Sequence, residues 1–348
     1  MKRELISIQY LRGIAASMVV VHHLLSTNAI EYLFIPNLGK FGVQIFFVIS
    51  GFIMWHTTAT TKITIWDFWR RRIIRILPLY WFFLALLVFS ALSFPRLFHT
   101  TVITPENVLK SFLFIPHFHV VQTELIAPIL IPGWSLNYEM YFYLLFGLAM
   151  LIESRAIRAA ILIAALSGLV IVGYLYRPTD ALVSTYTSSE LLKFLDGVIL
   201  AIIYKNGRIK NPILGCALIP AGILLAFGTT PLGGLAQFDD FFGISAAVIV
   251  AGSLAMEAPA QIAPSQLLLA IGDASYSIYL SHLFWLRLTE LIWQRSSLFG
   301  SSKVLDGLYI VFALTVSIAG GIAVHYFVER PILRFRARRR PAVVAGAV

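Results

Sequence analysis

The chain has 348 residues, 59% of them hydrophobic and 13% charged, with a mean hydropathy of +0.83. These values exclude a soluble domain with a greasy core and describe a polytopic membrane protein. The single cysteine, Cys216, excludes an internal disulfide and any thiolate metal cluster, and the net charge of +10 points to nucleic acid only if its placement allows it.

Placement does not allow it. Ten apolar segments are predicted as transmembrane helices, at about 7–28, 40–58, 76–94, 134–153, 156–176, 188–204, 212–229, 239–256, 267–293 and 304–327. The expected fold is all-α, a polytopic integral membrane helical bundle of about ten transmembrane helices. With the N-terminus inside, the inner segments hold 18 of the 27 Lys and Arg residues and the outer segments hold 6. Cytoplasmic loops carry such an excess, so both termini are expected in the cytoplasm and no nucleic-acid partner is implied. The first segment follows Lys2 and Arg3 as a signal peptide would, but its length, its internal Arg12 and the lack of an A-x-A-like site predict a retained span.

That first segment contains YLRGIAASMVVVHHL, Tyr10 to Leu24. A charge at the bilayer centre costs from about 3 to well over 10 kcal/mol, so ionisable groups there mark a functional site by default. Arg12 and His23 are close to three whole turns apart, on one face and separated by about 16 Å of rise, whereas His22 points about 80° away. A snorkelling Arg12 and a hydrogen-bonded histidine would account for each residue alone; the shared face links them.

The second segment, FGVQIFFVISGFIMWHT, places Ser50-Gly51 near its middle, where small residues let helices approach closely. The third is preceded by DFWRRRIIRILPLYW, in which Arg71, Arg72 and Arg75 share helical spacing before Pro78. Positive-inside anchoring explains basic residues here, but guanidinium forks also bind phosphate bidentately, which predicts a phosphorylated cytosolic ligand. The outer stretch from Phe94 to Pro132 reads as a folded loop with a short helix over 107–115; its His117 and His119 lack a third convergent ligand, so no metal is expected.

The fourth segment opens PGWSLNYEMYFY. Trp134 suits the outer interface belt, and Glu139, about five residues and 7 Å in, is expected to meet His23 and orient it as a general base. Structural hydrogen bonds of Glu139 to Ser135 or Tyr143 are the alternative. In the sixth, Glu190, Lys193 and Asp196 follow an intrahelical pairing pattern, and Thr229 to Asp240 forms an outer turn. The ninth carries Ser275, Tyr279 and His282 as a polar stripe, either a satisfied seam between helices or a cavity lining. The tenth ends HYFVERPILRFRARRR, where Glu329 can pair with an arginine of the inner cluster and the basic tail suits anionic lipid. No GxxxxGK[ST], HExxH or GxSxG motif occurs, which argues against an ATP-driven pump.

Together these motifs resemble the acyltransferase-3 family of integral membrane O-acyltransferases, close to its exopolysaccharide-modifying branch. The shared features are an arginine and a histidine separated by ten residues (Arg12, His23), FFVISGF (Phe46 to Phe52), and FxxRRxxRIxP (Phe68, Arg71, Arg72, Arg75, Ile76, Pro78). They continue with WSLxxExxFY (Trp134, Ser135, Leu136, Glu139, Phe142, Tyr143), SYxIYLxH (Ser275, Tyr276, Ile278, Tyr279, Leu280, His282) and ERP from Glu329 to Pro331. The resemblance implies one acyltransferase domain over residues 1–335, a short basic cytoplasmic tail over 336–348, and residence in a bacterial inner membrane. It implies transfer of an acyl group, usually acetyl from acetyl-CoA, to a hydroxyl of an exopolysaccharide or other cell-surface glycan, with no metal. Arg12, His23 and Glu139 would be catalytic and Arg71, Arg72 and Arg75 would hold the donor, with Trp134, Ser135, Tyr279 and His282 as substrate-site candidates. His23 would deprotonate the hydroxyl or carry the acyl group transiently. The rival reading is a transporter or flippase for a lipid-linked saccharide, with the same polar groups lining a path.

Overall fold

The computed structural model describes residues 5–26, 37–60, 63–96, 101–207, 209, 211–227, 239–257, 264–295 and 302–338. Among them the chain is helical, without a named strand. Of the turn expected over 229–240, residues 229–238 lie outside the described residues and 239–240 begin a helix; of the tail expected over 336–348, residues 339–348 lie outside them.

A helix occupies each of the ten expected segments. In chain order they are α1 (Ile6–Leu25), α2 (Leu38–Thr60), α3 (Ile65–Ser93), the short α4 (Pro105–Phe112) and α5 (Trp134–Ala149). Next come α6 (Arg155–Tyr176), the short α7 (Ala181–Tyr186), α8 (Glu190–Lys205), α9 (Pro212–Phe227) and α10 (Asp239–Ala255). The chain continues with α11 (Gln266–Asp273), α12 (Ser275–Arg295), α13 (Lys303–Val324) and α14 (Arg330–Arg338).

Helix length and composition alone account for part of the ten spanning helices expected. Among the described residues, five helices are long and apolar enough to cross a membrane, or six if the bent pair α11 and α12 forms one span. The remainder fall short for a geometric reason: α5, α8 and α9 have 16 residues each, about 24 Å of rise against a hydrocarbon core of about 30 Å. Sequence hydropathy merges short helices with the apolar turns beside them. Thus α5 is preceded by a buried 3-10 turn, Ile131–Gly133, so the chain is already inside the bundle when the helix begins. The ninth segment is likewise not one helix, because α11 and α12 meet at 76°.

The centre of the bundle is α2, which packs against α1, α8, α10 and α5. Its contact with α8 is backbone to backbone: a Cβ on Gly51 would stand 1.9 Å from the Phe194 carbonyl oxygen, and one on Gly197 would stand 2.0 Å from that of Val48. Small residues on both helices are what permit this distance. Phe194 then stacks on Phe47 and Phe142, tying α8 to α2 and α5.

Outside the bundle core, α4 starts at a Thr104 cap whose side chain accepts from the Asn107 N–H, with Pro105 in the first turn. It is held to α3 by the Tyr80 hydroxyl donating to the Ser111 carbonyl and Trp81 Nε1 donating to that of Phe112. The PHFH segment shapes this loop. His117 Nδ1 donates to the Ile115 carbonyl, and His119 Nδ1 accepts from the backbone N–H groups of Val121 and Gln122.

Gly51→Ala is expected to force α2 from α8 and to lower stability by about 1–3 kcal/mol or more. Gly168→Ala, in α6 with nothing within 4 Å of the added Cβ, is expected to be neutral or slightly stabilising. Thermal unfolding in detergent checks both; equal melting temperatures for the two variants would refute the close contact.

Candidate active site

Two cavities lie along α1, one at each end of the Arg12–His23 line, and are named inner and outer after the expected orientation. The inner one, of about 370 Å³, is lined by Gln9 and Arg12 of α1, Arg72 and Arg75 of α3, Ser50 of α2, Glu139 and Tyr143 of α5, and Tyr276 of α12 among others. The outer one, of about 460 Å³, is lined by His22 and His23, Lys40 of α2, Trp134 and Tyr138 of α5, Glu124 of the outer loop and Glu190 of α8. Val43 and Tyr279 line both, so they form the partition between the two.

Each guanidinium of the inner cavity is delivered by a local feature of its helix. Arg12 Nη1 donates to Gln9 Oε1 one turn back, at 3.1 Å, and Gln9 Nε2 donates to Asp273 Oδ1 at 3.1 Å. Asp273 reaches α1 because α11 ends there and Gly272 lies against the α1 backbone, where a Cβ would stand 2.2 Å from the Gln9 carbonyl. Arg75 Nη1 lies 3.8 Å from Glu329 Oε1. Glu329 ends a π-helical segment, His325–Glu329, and its Oε2 accepts from Ser277 Oγ at 2.7 Å and lies 2.8 Å from His325 Nδ1. The inner-cluster partner expected for Glu329 is thus Arg75. A π segment widens the helix by one residue and often marks functional positions.

Arg72 stands over the Tyr143 ring, 5.9 Å from its centroid, and its buried Nε has no hydrogen-bond partner among the described residues. Arg72 and Tyr143 also line a separate space of about 670 Å³ between α3 and α5, together with Trp66, Trp69 and Arg70. Arg71, the third arginine of the expected donor block, is exposed and lines none of these cavities. One residue of helix is 100°, which turns it away from Arg72.

The expected pair of Glu139 with His23 does not form. Glu139 accepts from Tyr143 OH and, at 3.1 Å, from Ser50 Oγ, and Ser50 Oγ and Tyr143 OH are 3.0 Å apart. This places Glu139 beside the middle of α2. The reason is the buried entry to α5: Leu130, Pro132 and Gly133 lie inside the bundle, so counting residues from the helix start overestimates height. The Trp134 ring packs edge-on against Phe47 and lines the outer cavity. Ser135 Oγ is 2.8 Å from Tyr279 OH, which donates to the Pro132 carbonyl at 2.7 Å.

His23 finds a different partner. Its Nδ1 lies 2.9 Å from the Val19 carbonyl and 3.3 Å from Nε2 of His282, which is fully buried. His22 joins His23 on the outer cavity, its ring edge-on to that of His23. Glu190 also turns across the bundle, accepting from Gln44 Nε2 at 3.0 and 3.2 Å with Lys40 Nζ at 3.9 Å. Gln9, Gln44 and Tyr276 were not among the expected site residues. Gln9 one turn from Arg12, and Gln44 inside an apolar helix, are the signals that mark two of them.

The family described as Acyltransferase domain matches residues 5–326. Among curated relatives, the exopolysaccharide production protein ExoZ of Rhizobium meliloti is 36% identical over 89% of this chain and 95% of its own. The acyltransferase MdmB of Streptomyces mycarofaciens is 28% identical over 90% of this chain and 86% of its own. The O-acetyltransferase OatA of Staphylococcus aureus is 26% identical over 95% of this chain but only 57% of its own. No solved structure matches. With the family profile covering nearly all of the helical bundle that holds both cavities, this chain belongs to the acyltransferase-3 family and is a multi-pass membrane acyltransferase.

Proposed function

We propose that the protein transfers an acetyl group from cytosolic acetyl-CoA to a hydroxyl of an exopolysaccharide or other cell-surface glycan. The observation that carries this reading is the pair of cavities on one helix, the inner one holding Arg12, Arg72 and Arg75 and the outer one holding His23. In this reading the protein sits in a bacterial inner membrane. The ten helical segments cross it with the short helices buried among the long ones, and both termini are cytoplasmic. The three-to-one bias of Lys and Arg toward inner segments supports that orientation.

Coenzyme A carries several phosphates, and a cavity lining of three guanidiniums and one carboxylate, Glu139, suits it. Arg72, with its unpartnered buried Nε, and Arg75 hold those phosphates, while Trp66 and Trp69 offer aromatic faces to the nucleotide beside them. Arg12 marks the path of the acyl-pantetheine arm, whose extended length is of the same order as the roughly 16 Å of α1 between Arg12 and His23. Glu139 acts as the local counter-charge and keeps Ser50 and Tyr143 on the cavity wall. The acceptor enters the outer cavity, where Trp134 and Tyr138 present ring faces and Glu190 and Glu124 present carboxylates. The similarity to ExoZ supports an exopolysaccharide as acceptor.

In the direct route the acceptor oxygen attacks the thioester carbonyl as its proton passes to His23 Nε2. The carbon–sulfur bond then breaks, and the CoA thiolate leaves and takes up that proton. In the covalent route Nε2 itself attacks the carbonyl and the carbon–sulfur bond breaks to release CoA thiolate; the sugar hydroxyl then displaces the imidazole from the acyl group, and its proton passes to the thiolate. Rapid-quench mass spectrometry with labelled acetyl-CoA and no acceptor separates them: acetyl on His23 supports the covalent route and its absence at saturating donor removes it.

Deletion of the gene is expected to remove O-acetyl proton NMR signals from the cell-surface polysaccharide, with restoration on complementation; an unchanged pattern would overturn the acceptor assignment. Arg72→Lys is expected to raise KM for acetyl-CoA about 10- to 100-fold, matching the loss of about 1.5–3 kcal/mol for a charge-assisted contact. Arg71→Lys is expected to leave it within about twofold, so equal effects of the two would refute the phosphate assignment. Glu139→Ala is expected to lower transfer at least about tenfold, since it strips two buried hydroxyls of their acceptor at a cost of about 1–3 kcal/mol. Near-normal activity in that variant would remove Glu139 from the site.

A further inference from the structure

We infer that His282 is the positioning residue of His23, a second imidazole that accepts the Nδ1 proton of the first and aims its Nε2 at the acceptor. The inference deepens the reading of His23 as the base or acyl carrier and rests on it.

The tautomers follow from what each ring faces. A carbonyl oxygen only accepts, so the ring nitrogen bonded to one carries a proton when neutral. His282 Nδ1 lies 2.6 Å from the Tyr279 carbonyl, and therefore donates to it. Its Nε2 is left with a lone pair, and that atom is 3.3 Å from His23 Nδ1. His23 Nδ1 in turn donates to the Val19 carbonyl at 2.9 Å, so the single proton on it is shared between Val19 and His282. The direction of the chain is thereby fixed: His23 Nδ1–H points to His282 Nε2, and His282 Nδ1–H points to Tyr279. His23 Nε2 is then the unprotonated nitrogen, and it makes no hydrogen bond among the described residues while the ring lines the outer cavity.

The two rings have centroids 4.9 Å apart at 53°, so the contact is through the nitrogens and not a stack. His282 is fully buried on α12, which makes it a rigid support for a side chain on α1 that is itself only half-buried. The Val19 bond alone comes from the same helix and leaves that side of the ring unsupported. When Nε2 takes the hydroxyl proton, or is acylated, Nδ1–H becomes a charge-assisted donor. Such bonds are about twice as strong as neutral ones, so His282 stabilises the charged form more than the resting one. That is the differential stabilisation that catalysis requires.

The test uses the full chain in nanodiscs with 15N-labelled histidine, and His23→Asn and His282→Asn to assign the resonances. Without substrate, the wild type is expected to show His23 with a protonated Nδ1 and bare Nε2, and a nitrogen–nitrogen coupling across the bond to His282 Nε2. His282→Phe is expected to lower kcat about 10- to 100-fold with KM for acetyl-CoA within about twofold, and His282→Gln, whose side-chain oxygen can accept, to recover at least about a third of the lost factor on a logarithmic scale. A His23 protonated on Nε2, a kcat for His282→Phe within twofold of wild type, or equal defects in Phe and Gln variants would each overturn the proposal. The coupling is read without any acyl donor, so a chain that transfers no acetyl group would refute the proposed function and leave the histidine pair standing.

Discussion

A guanidinium inside a bundle of apolar helices must be met by polar groups, and that demand around Arg12, Arg72 and Arg75 shapes the irregular parts of the fold. Three breaks in helical regularity supply such groups. The 76° bend between α11 and α12 sets Asp273 against Gln9 and through it Arg12. The π-helical segment at His325–Glu329 sets Glu329 toward Arg75. The 3-10 turn before α5 lowers that helix into the bundle, so that Glu139 and Tyr143 stand beside Ser50 and Arg72. A straight helix in any of these places would deliver its polar residue at a different height.

The same constraint suits the continuity of α1, which runs unbroken past the bend between α11 and α12. Arg12 and His23 must keep a fixed separation, and an uninterrupted helix is the stiffest way to hold it. The neighbours adapt to α1, through Gly272 against the Gln9 carbonyl and Gly39 against the His22 ring. The FFVISGF motif divides between these tasks. Gly51 admits α8 to the core, while the adjacent Ser50 faces the other way and bonds Glu139.

Much of this was legible from residue type and spacing. The shared face of Arg12 and His23, the polar stripe of α12 and the close approach at Gly51 follow from helical periodicity, which survives folding because a helix imposes it locally. Heights across helices were not legible. Glu139 was expected level with His23 because residue counts begin at an assumed membrane surface, and the buried entry through Leu130 and Pro132 breaks that assumption. Arg71 was grouped with Arg72 and Arg75 because adjacent arginines look alike in sequence, although consecutive residues on a helix face different ways. The bend at Ala274 was hidden for a related reason: Gly-Asp-Ala-Ser is polar enough to mark a turn, but the apolar runs on either side outweigh it.

The partition formed by Val43 and Tyr279 gives the two-cavity arrangement its energetic meaning. Under the proposed reading the thioester must meet the sugar hydroxyl, yet a permanently open passage would admit water to the thioester and leak ions across the membrane. Tyr279 is held between the two cavities by hydrogen bonds to the Pro132 carbonyl and Ser135 Oγ. Two such bonds contribute about 1–3 kcal/mol net, so a form with the ring displaced would lie about that far above the closed one. That gap is small beside what a CoA-sized ligand gains on binding, so a donor whose arm contacts the displaced ring can open the partition with a fraction of its binding energy. The Tyr279 backbone carbonyl also anchors His282. The residue that separates the cavities is therefore the one that holds the histidine pair, and ring displacement at Tyr279 leaves that carbonyl, and with it the aim of His23, in place.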